Sequence, residues 1–250
     1  MIRKIPYQGL TFDKFRELAK SDQLTCHEKI GFPNEYREGK EEAIFSDMRT
    51  KLKSLGGRRK TVLEIGPGCS RLPVMLAVLC EERGHQLHFA DSPEMLVQLP
   101  ENANIHKWPG RYPDDVDELF VQLSGKVDAV IVYSVIQYVF AESNLWDFLD
   151  RTLSLLADGG EILLGDIPNV TMRKRFFSSV AGVQCHREYT GRDEMPKVQF
   201  NQLERGQIDD SVVLAILARA RAQGFHAWLV PQGDDLPMAN RREDILIRKP

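Results

Sequence analysis

The chain has four cysteines in 250 residues, at positions 26, 69, 80 and 185. None forms a C-x-x-C pair, which argues against a zinc knuckle and gives no disulfide framework, so a reducing cytoplasm is the simpler expectation. A charge excess is also missing. With 33 Lys and Arg against 36 Asp and Glu, the net charge is -3, and nothing global attracts a nucleic-acid backbone or an anionic membrane. The basic triplets Arg58-Arg59-Lys60 and Arg173-Lys174-Arg175 read as solvated faces or local anion contacts. No apolar run is long enough to span a membrane: the most apolar tract, Val127 to Phe140, contains Asp128 and Gln137 and reads as a buried strand running into a loop. The residues after Met1 lack a continuous apolar segment, so a secretory signal is not expected. There is no internal repeat and no low-complexity linker.

What the sequence does contain is an apolar strand that breaks into glycines. In Thr61-Val62-Leu63-Glu64-Ile65-Gly66-Pro67-Gly68-Cys69-Ser70, Val62, Leu63 and Ile65 suit a buried strand. Gly66 and Gly68 permit backbone angles and close ligand approaches that a Cβ forbids. Ser70 suits a helix N-cap, and Pro73 sits early enough in the next helix for its missing N–H to matter little.

The rest of the chain alternates. Leu72 to Arg83 reads as a buried helix stopped by Gly84, Gln86 to Ala90 as a strand ending at Asp91, and Asn104 to Lys107 as a weaker strand. Asp114 to Leu123 reads as a helix and Val127 to Tyr133 as the strongest strand. The stripe Trp146, Leu149, Leu153 and Leu156 marks a helix that stops at Asp158-Gly159-Gly160, before a strand over Glu161 to Gly165. Ser211 to Ala222 is a helix capped by Asp210 or Ser211 and stopped at Gly224. Phe225 to Val230 and Asp244 to Ile247 pair as a terminal antiparallel hairpin. This alternation predicts a seven-stranded, mostly parallel α/β sheet with helices on both faces.

A chain of this size accommodates one domain. We expect a single domain over 1–250: an N-terminal helical cap (1–59), a cofactor-binding core (60–166), an acceptor-side insertion (167–210), and the last helix and hairpin (211–250). The cap offers helices over Thr11 to Ala19 and Glu41 to Leu55 around the loop Lys29 to Gly39. The insertion offers a helix over Thr171 to Val180 and a loop over Cys185 to Phe200.

Together these residues resemble the class I S-adenosylmethionine-dependent methyltransferases, over roughly residues 60 to 166 and the terminal hairpin. Glu64-Ile65-Gly66-Pro67-Gly68-Cys69-Ser70 is similar to the family's acidic-x-Gly-x-Gly-x-Gly loop, with Ser70 replacing the last glycine. The resemblance implies a Rossmann-like fold and S-adenosyl-L-methionine as cofactor. It implies that Asp91 accepts from the ribose hydroxyls, that Ser92 and Met95 line the adenine side, and that Gly110 and Arg111 lie beside adenine. It further implies that Tyr133 and Ser134 close over the methionyl part, and that Glu64 braces the loop or reaches the cofactor ammonium. Structural roles compete: Asp91 as a cap of the next helix, Glu64 as a helix-terminus partner, Tyr133 as a packed aromatic. A dinucleotide fits less well, because Arg71 stands where a third glycine is needed, and no Gly-Lys-Ser/Thr follows to make a P-loop.

A hydroxyl acceptor needs a base, whereas positioning suffices for a neutral amine. Candidates beyond the strand ends are Gln137, which orients only, Tyr138, and Asp166, which also suits a turn cap before Ile167-Pro168. His27 and His186 titrate in a suitable range but are more ordinary as satisfied polar residues. Lys29 to Gly39 and Asp166 to Phe177 are similar to stretches in methyltransferases of bacterial surface-polysaccharide or flagellar-glycan synthesis. That resemblance implies an acidic sugar or nucleotide-sugar phosphate near Arg37, Arg173, Lys174 or Arg175. The reading is therefore methyl transfer to a small-molecule acceptor, hydroxyl ahead of amine, with no nucleic-acid, membrane or metal partner and no indication of oligomeric state. A macromolecular methyltransferase, a non-catalytic cofactor-binding scaffold and a dinucleotide oxidoreductase are the alternatives. The regions Leu10 to Leu55 and Ile167 to Asp210 are expected to meet above the carboxyl ends of the strands and form one acceptor cavity.

Overall fold

The computed structural model describes residues 9–250. The expectation about a secretory signal, and the start of the N-terminal cap, lie outside the described residues. Among the described residues, no helix is long and apolar enough to cross a membrane.

One seven-stranded sheet runs in the order β3-β2-β1-β4-β5-β7-β6, from β1 (Thr61–Ile65), β2 (Gln86–Asp91), β3 (Ile105–Pro109), β4 (Val127–Tyr133), β5 (Leu156–Pro168), β6 (His226–Pro231) and β7 (Arg242–Arg248). β1 to β5 pair in parallel; β7 pairs antiparallel with both β5 and β6. The apolar side chains of β1 and β4 are buried on both faces, as a central parallel strand requires. One core lies under α7 (Asp117–Leu123), α9 (Leu145–Ser154) and α12 (Asp210–Ala222), and the other under α4 (Glu41–Lys51) and α5 (Arg71–Arg83). The strand order reverses between β1 and β4, the point where a doubly wound sheet opens a crevice at its carboxyl edge.

Several local readings are corrected. Asp158-Gly159-Gly160 does not stop a helix: α9 ends at Ser154, and β5 begins at Leu156 and runs 13 residues. Gly160 lies so close to neighbouring backbone that a Cβ would stand 2.7 Å from the Val127 carbonyl oxygen. The tract after β4 is a helix, α8 (Ile136–Glu142), rather than a loop. Asp209, not Asp210 or Ser211, caps α12, accepting from Val212 N at 3.1 Å.

The two added regions are more helical than expected. The cap contains α1 (Phe12–Ala19), α2 (Cys26–Lys29) and α3 (Asn34–Arg37) before α4, with α3 inside the predicted loop. In the insertion, the expected helix is α10 (Val170–Phe177), and a second one, α11 (Val180–Thr190), follows it. Ser179 caps α11 by accepting from Gly182 N, and left-handed Gly191 closes it, so the predicted Cys185–Phe200 loop is helical as far as Thr190.

Candidate functional site

A cavity opens at the carboxyl ends of β1, β2 and β4, with the glycine loop forming its floor. Gly66 and Gly68 have φ of 67° and 64°. Space imposes the same choice: a Cβ would come within 2.6 Å of Val135 Cγ2 at Gly66 and 2.5 Å of Ile30 Cγ2 at Gly68. Ser70 occupies the N-cap position of α5 and lines the cavity, but its side chain makes no capping hydrogen bond. Pro67 completes the loop wall.

Asp91 connects this loop to the end of β2. One carboxylate oxygen accepts from Gly68 N at 3.0 Å, and the other from Ser92 N at 2.6 Å. Burial pushes its acid up to about 6, against the opposing pull of those two amides. Ser92 faces away from the wall and caps the short helix α6 (Pro93–Leu96), accepting from Met95 N at 3.3 Å. That cap turns Met95 onto the cavity.

Glu64, the last charged group of β1, is 4% exposed and lines the same space. Its Oε2 has no hydrogen-bond partner among the described residues. Burial, reinforced by Asp91, pushes its acid up to about 8. A buried carboxyl with a free oxygen beside a cavity is a site prepared for a hydrogen-bonding cation.

The opposite wall brings together Gly110, Arg111, Tyr133, Ser134 and Tyr138. Gly110 has φ 146°, and a Cβ there would stand 2.7 Å from Asp115 Cβ. Arg111 covers the Phe12 ring at 4.9 Å. Tyr138 meets Phe15 edge to face, with ring centroids 4.9 Å apart, and burial pushes its phenol above the ordinary value.

The roof comes from the cap: Phe12, Phe15, Ile30, Phe32 and Arg37 all line the cavity. The four apolar residues were missed in the sequence, where α1 has the spacing of any amphipathic helix and nothing local shows what it covers. Arg37 was singled out only as an anion contact. It is 4% exposed, stacked on Phe32 at 4.2 Å.

Asp166 and Gln137 do not reach the wall, which corrects their reading as groups facing an acceptor. Asp166 is 2% exposed and forms ion pairs with Arg37 Nη2 at 2.5 Å and Arg242 Nη1 at 2.7 Å, while Ser134 Oγ also donates to it. Burial alone raises its acid, but the two guanidiniums and these hydrogen bonds outweigh burial and hold it below the ordinary range. A carboxylate so committed is a weak proton acceptor. Gln137 donates to the Ser134 carbonyl at 2.8 Å.

The two added regions do not build one cavity as expected. No residue of 167–210 lines this one; the insertion instead encloses a separate cleft holding Arg173, Lys174 and His186. Arg173 and Lys174 each pair at 3.0 Å with Glu204, and Arg175 with Asp210 at 2.5 Å. His27 is buried against Glu41 Oε1 at 2.7 Å, away from the wall.

No family model matches the sequence, and no curated protein matches it. Solved structures match the fold. The plantazolicin methyltransferase BpumL, in complex with a monoazolic desmethylPZN analog and SAH, aligns over 96% of each chain at 14% identity and a TM-score of 0.56. The fold is that of the class I methyltransferases. The N-methyltransferase NodS from Bradyrhizobium japonicum WM9, in complex with S-adenosyl-L-homocysteine, aligns over 96% of this chain and 98% of its own, at 14% identity and a TM-score of 0.55. The CurJ carbon methyltransferase aligns over 86% of this chain, which spans 56% of its length, at 15% identity and a TM-score of 0.55.

Proposed function

We propose that the chain binds S-adenosyl-L-methionine and transfers its methyl group to a small-molecule acceptor. The observation that carries this reading is one cavity holding the left-handed Gly66–Gly68 loop, the Asp91 carboxylate and the free Glu64 oxygen together. Asp91 accepts from the ribose hydroxyls, with Met95, Gly110 and Arg111 beside adenine and Tyr133 and Ser134 beside the methionyl chain. Glu64 takes the ammonium, and ionises as that charge replaces the water its buried carboxyl lacks. Bound there, the cofactor supplies an electrophilic methyl on a positively charged sulfur. Phe12, Phe15, Ile30 and Phe32 exclude water and hold an acceptor in line.

On the two titratable candidates named from the sequence, an amine, or an oxygen already ionised, suits the site better than an alkyl hydroxyl. Asp166 is committed to Arg37 and Arg242. Tyr138, the titratable candidate that does line the wall, has a raised pKa and is protonated at neutral pH. Neither of these two candidates is therefore a ready base; the carboxylate on this wall not assigned to the cofactor is Glu142, whose Oε2 accepts from Phe12 N at 3.2 Å. The surface-polysaccharide or flagellar-glycan reading is not carried forward, because its basic residues Arg173, Lys174 and Arg175 are paired away from this cavity.

Calorimetry with S-adenosylmethionine, S-adenosylhomocysteine and NAD tests the cofactor. Binding of the first two and not of NAD is expected; binding of NAD alone would replace this reading with the oxidoreductase one. Mass spectrometry of amine and hydroxyl panels incubated with the cofactor then separates turnover from a scaffold that only binds.

A further inference from the structure

Two buried side-chain atoms without hydrogen-bond partners belong to residues lining this cavity, and their groups are opposite in charge type. One is Glu64 Oε2 and the other is Arg37 Nε. They do not satisfy each other: the ion pair of Arg37 is with Asp166. Its Nη2 is spent on Asp166 Oδ2 at 2.5 Å and Ser134 Oγ at 2.7 Å, and its flat face lies on Phe32. The guanidinium is thus held through Nη2 while its buried Nε–H has no partner among the described residues. A guanidinium does not lose its charge, so it cannot relieve this exposure by deprotonation.

Asp166 faces two guanidiniums, Arg37 and Arg242, with one carboxylate between them. Beyond it, Asp244 and Asp47 both pair with Lys51, at 2.8 and 2.5 Å. A buried guanidinium with an unpartnered Nε thus lines the same cavity as a carboxyl with an unpartnered oxygen. That pairing is complementary to an α-amino acid zwitterion.

We propose that Arg37 binds the carboxylate at the amino-acid end of the cofactor, across from the contact between Glu64 and the ammonium. This rests on the cofactor reading above and assigns a residue outside the shared core to it. Asp166 and Ser134 are then positioning residues, which aim Arg37 through its Nη2. Arg37 ends α3 in the roof, and Ile30 of the same segment covers Gly68, so the carboxylate also draws the roof onto the glycine loop.

The test compares S-adenosylmethionine with its decarboxylated form, which keeps the adenosine, sulfonium and ammonium but has no carboxylate. Calorimetry on the wild type is expected to show roughly 10- to 100-fold tighter binding of the carboxylated ligand, the range for one charge-assisted contact. In Arg37→Met, affinity for S-adenosylmethionine falls by a similar factor, and affinity for the decarboxylated ligand stays within about twofold. Hydrogen exchange is expected to show residues 29–40 protected more by the carboxylated ligand in the wild type and equally by both in the variant. Equal wild-type affinity for the two ligands, or discrimination retained in Arg37→Met, overturns the assignment. The wild-type comparison needs no variant, and Arg37→Gln, which also removes the charge, replaces Arg37→Met if that protein does not fold. Failure of S-adenosylmethionine to bind at all is a different result, which overturns the cofactor reading itself.

Discussion

Ser134 Oγ donates a hydrogen bond to Asp166, and both residues hold left-handed backbone, at φ 60° and 59°. Ser134 follows the end of β4, and Asp166 sits at the register shift of β5 against β7. Such a conformation costs about 1–3 kcal/mol at a residue other than glycine and persists where the surroundings impose it. Here Arg37, Arg242 and Asp244 do so, the last by accepting from Asp166 N at 2.8 Å.

Asp166→Asn is accordingly expected to act on stability first. It removes the carboxylate shared by the buried Arg37 and the half-buried Arg242, a change that costs about 3–5 kcal/mol when a buried pair loses one partner. Urea unfolding measures this. The native carboxyl is held below 3.8, so its contribution is present above that pH and is lost as pH falls through the lower native value. The variant should therefore lose the most stability at neutral pH and differ least in strong acid; an unchanged midpoint at pH 7 would remove Asp166 from this role.

Glu64→Gln is expected to behave in the opposite sense in the ligand-free protein. With its acid raised from 4.5 to about 8, the folded chain holds a proton that the unfolded chain releases, so stability declines as pH rises from about 4.5 to 8. The glutamine variant should melt higher than wild type near pH 8 and differ least below pH 4.5. It should also bind S-adenosylmethionine more weakly. Parallel melting curves across this range would show that Glu64 is not the buried acid described above.

Asp91→Ala should weaken S-adenosylmethionine binding by about 1.5–3 kcal/mol, the range for hydrogen bonds with a charged partner. The loss of its bonds to Gly68 N and Ser92 N adds loosening of both loops. Calorimetry on a variant with native circular dichroism checks this, and wild-type affinity would refute the ribose assignment.

Gly68→Val should abolish cofactor binding. A β-branched residue resists φ 64°, and its first side-chain atom would stand 2.5 Å from Ile30 Cγ2, so the roof must lift or the loop must shift. Near-normal binding would mean that the loop serves only the fold.

The sheet, the glycine loop and Asp91 were legible in the sequence because their signals are local. A buried strand needs consecutive apolar residues, and a tight loop needs glycines at its left-handed positions. Helix content in the added regions was only partly legible: the Ser179 cap and Gly191 stop of α11 were present, but the charged, aromatic run between them reads equally as loop. The tertiary structure alone decided the roof and the fate of Asp166. Phe15 meets Tyr138, Ile30 meets Gly68, and Arg37 crosses 129 positions to reach Asp166. No local spacing encodes such contacts. Whether a carboxylate after a strand is a free base or a committed ion-pair partner depends on which distant cations fold against it, because burial and neighbouring charge, not residue type, set its proton affinity.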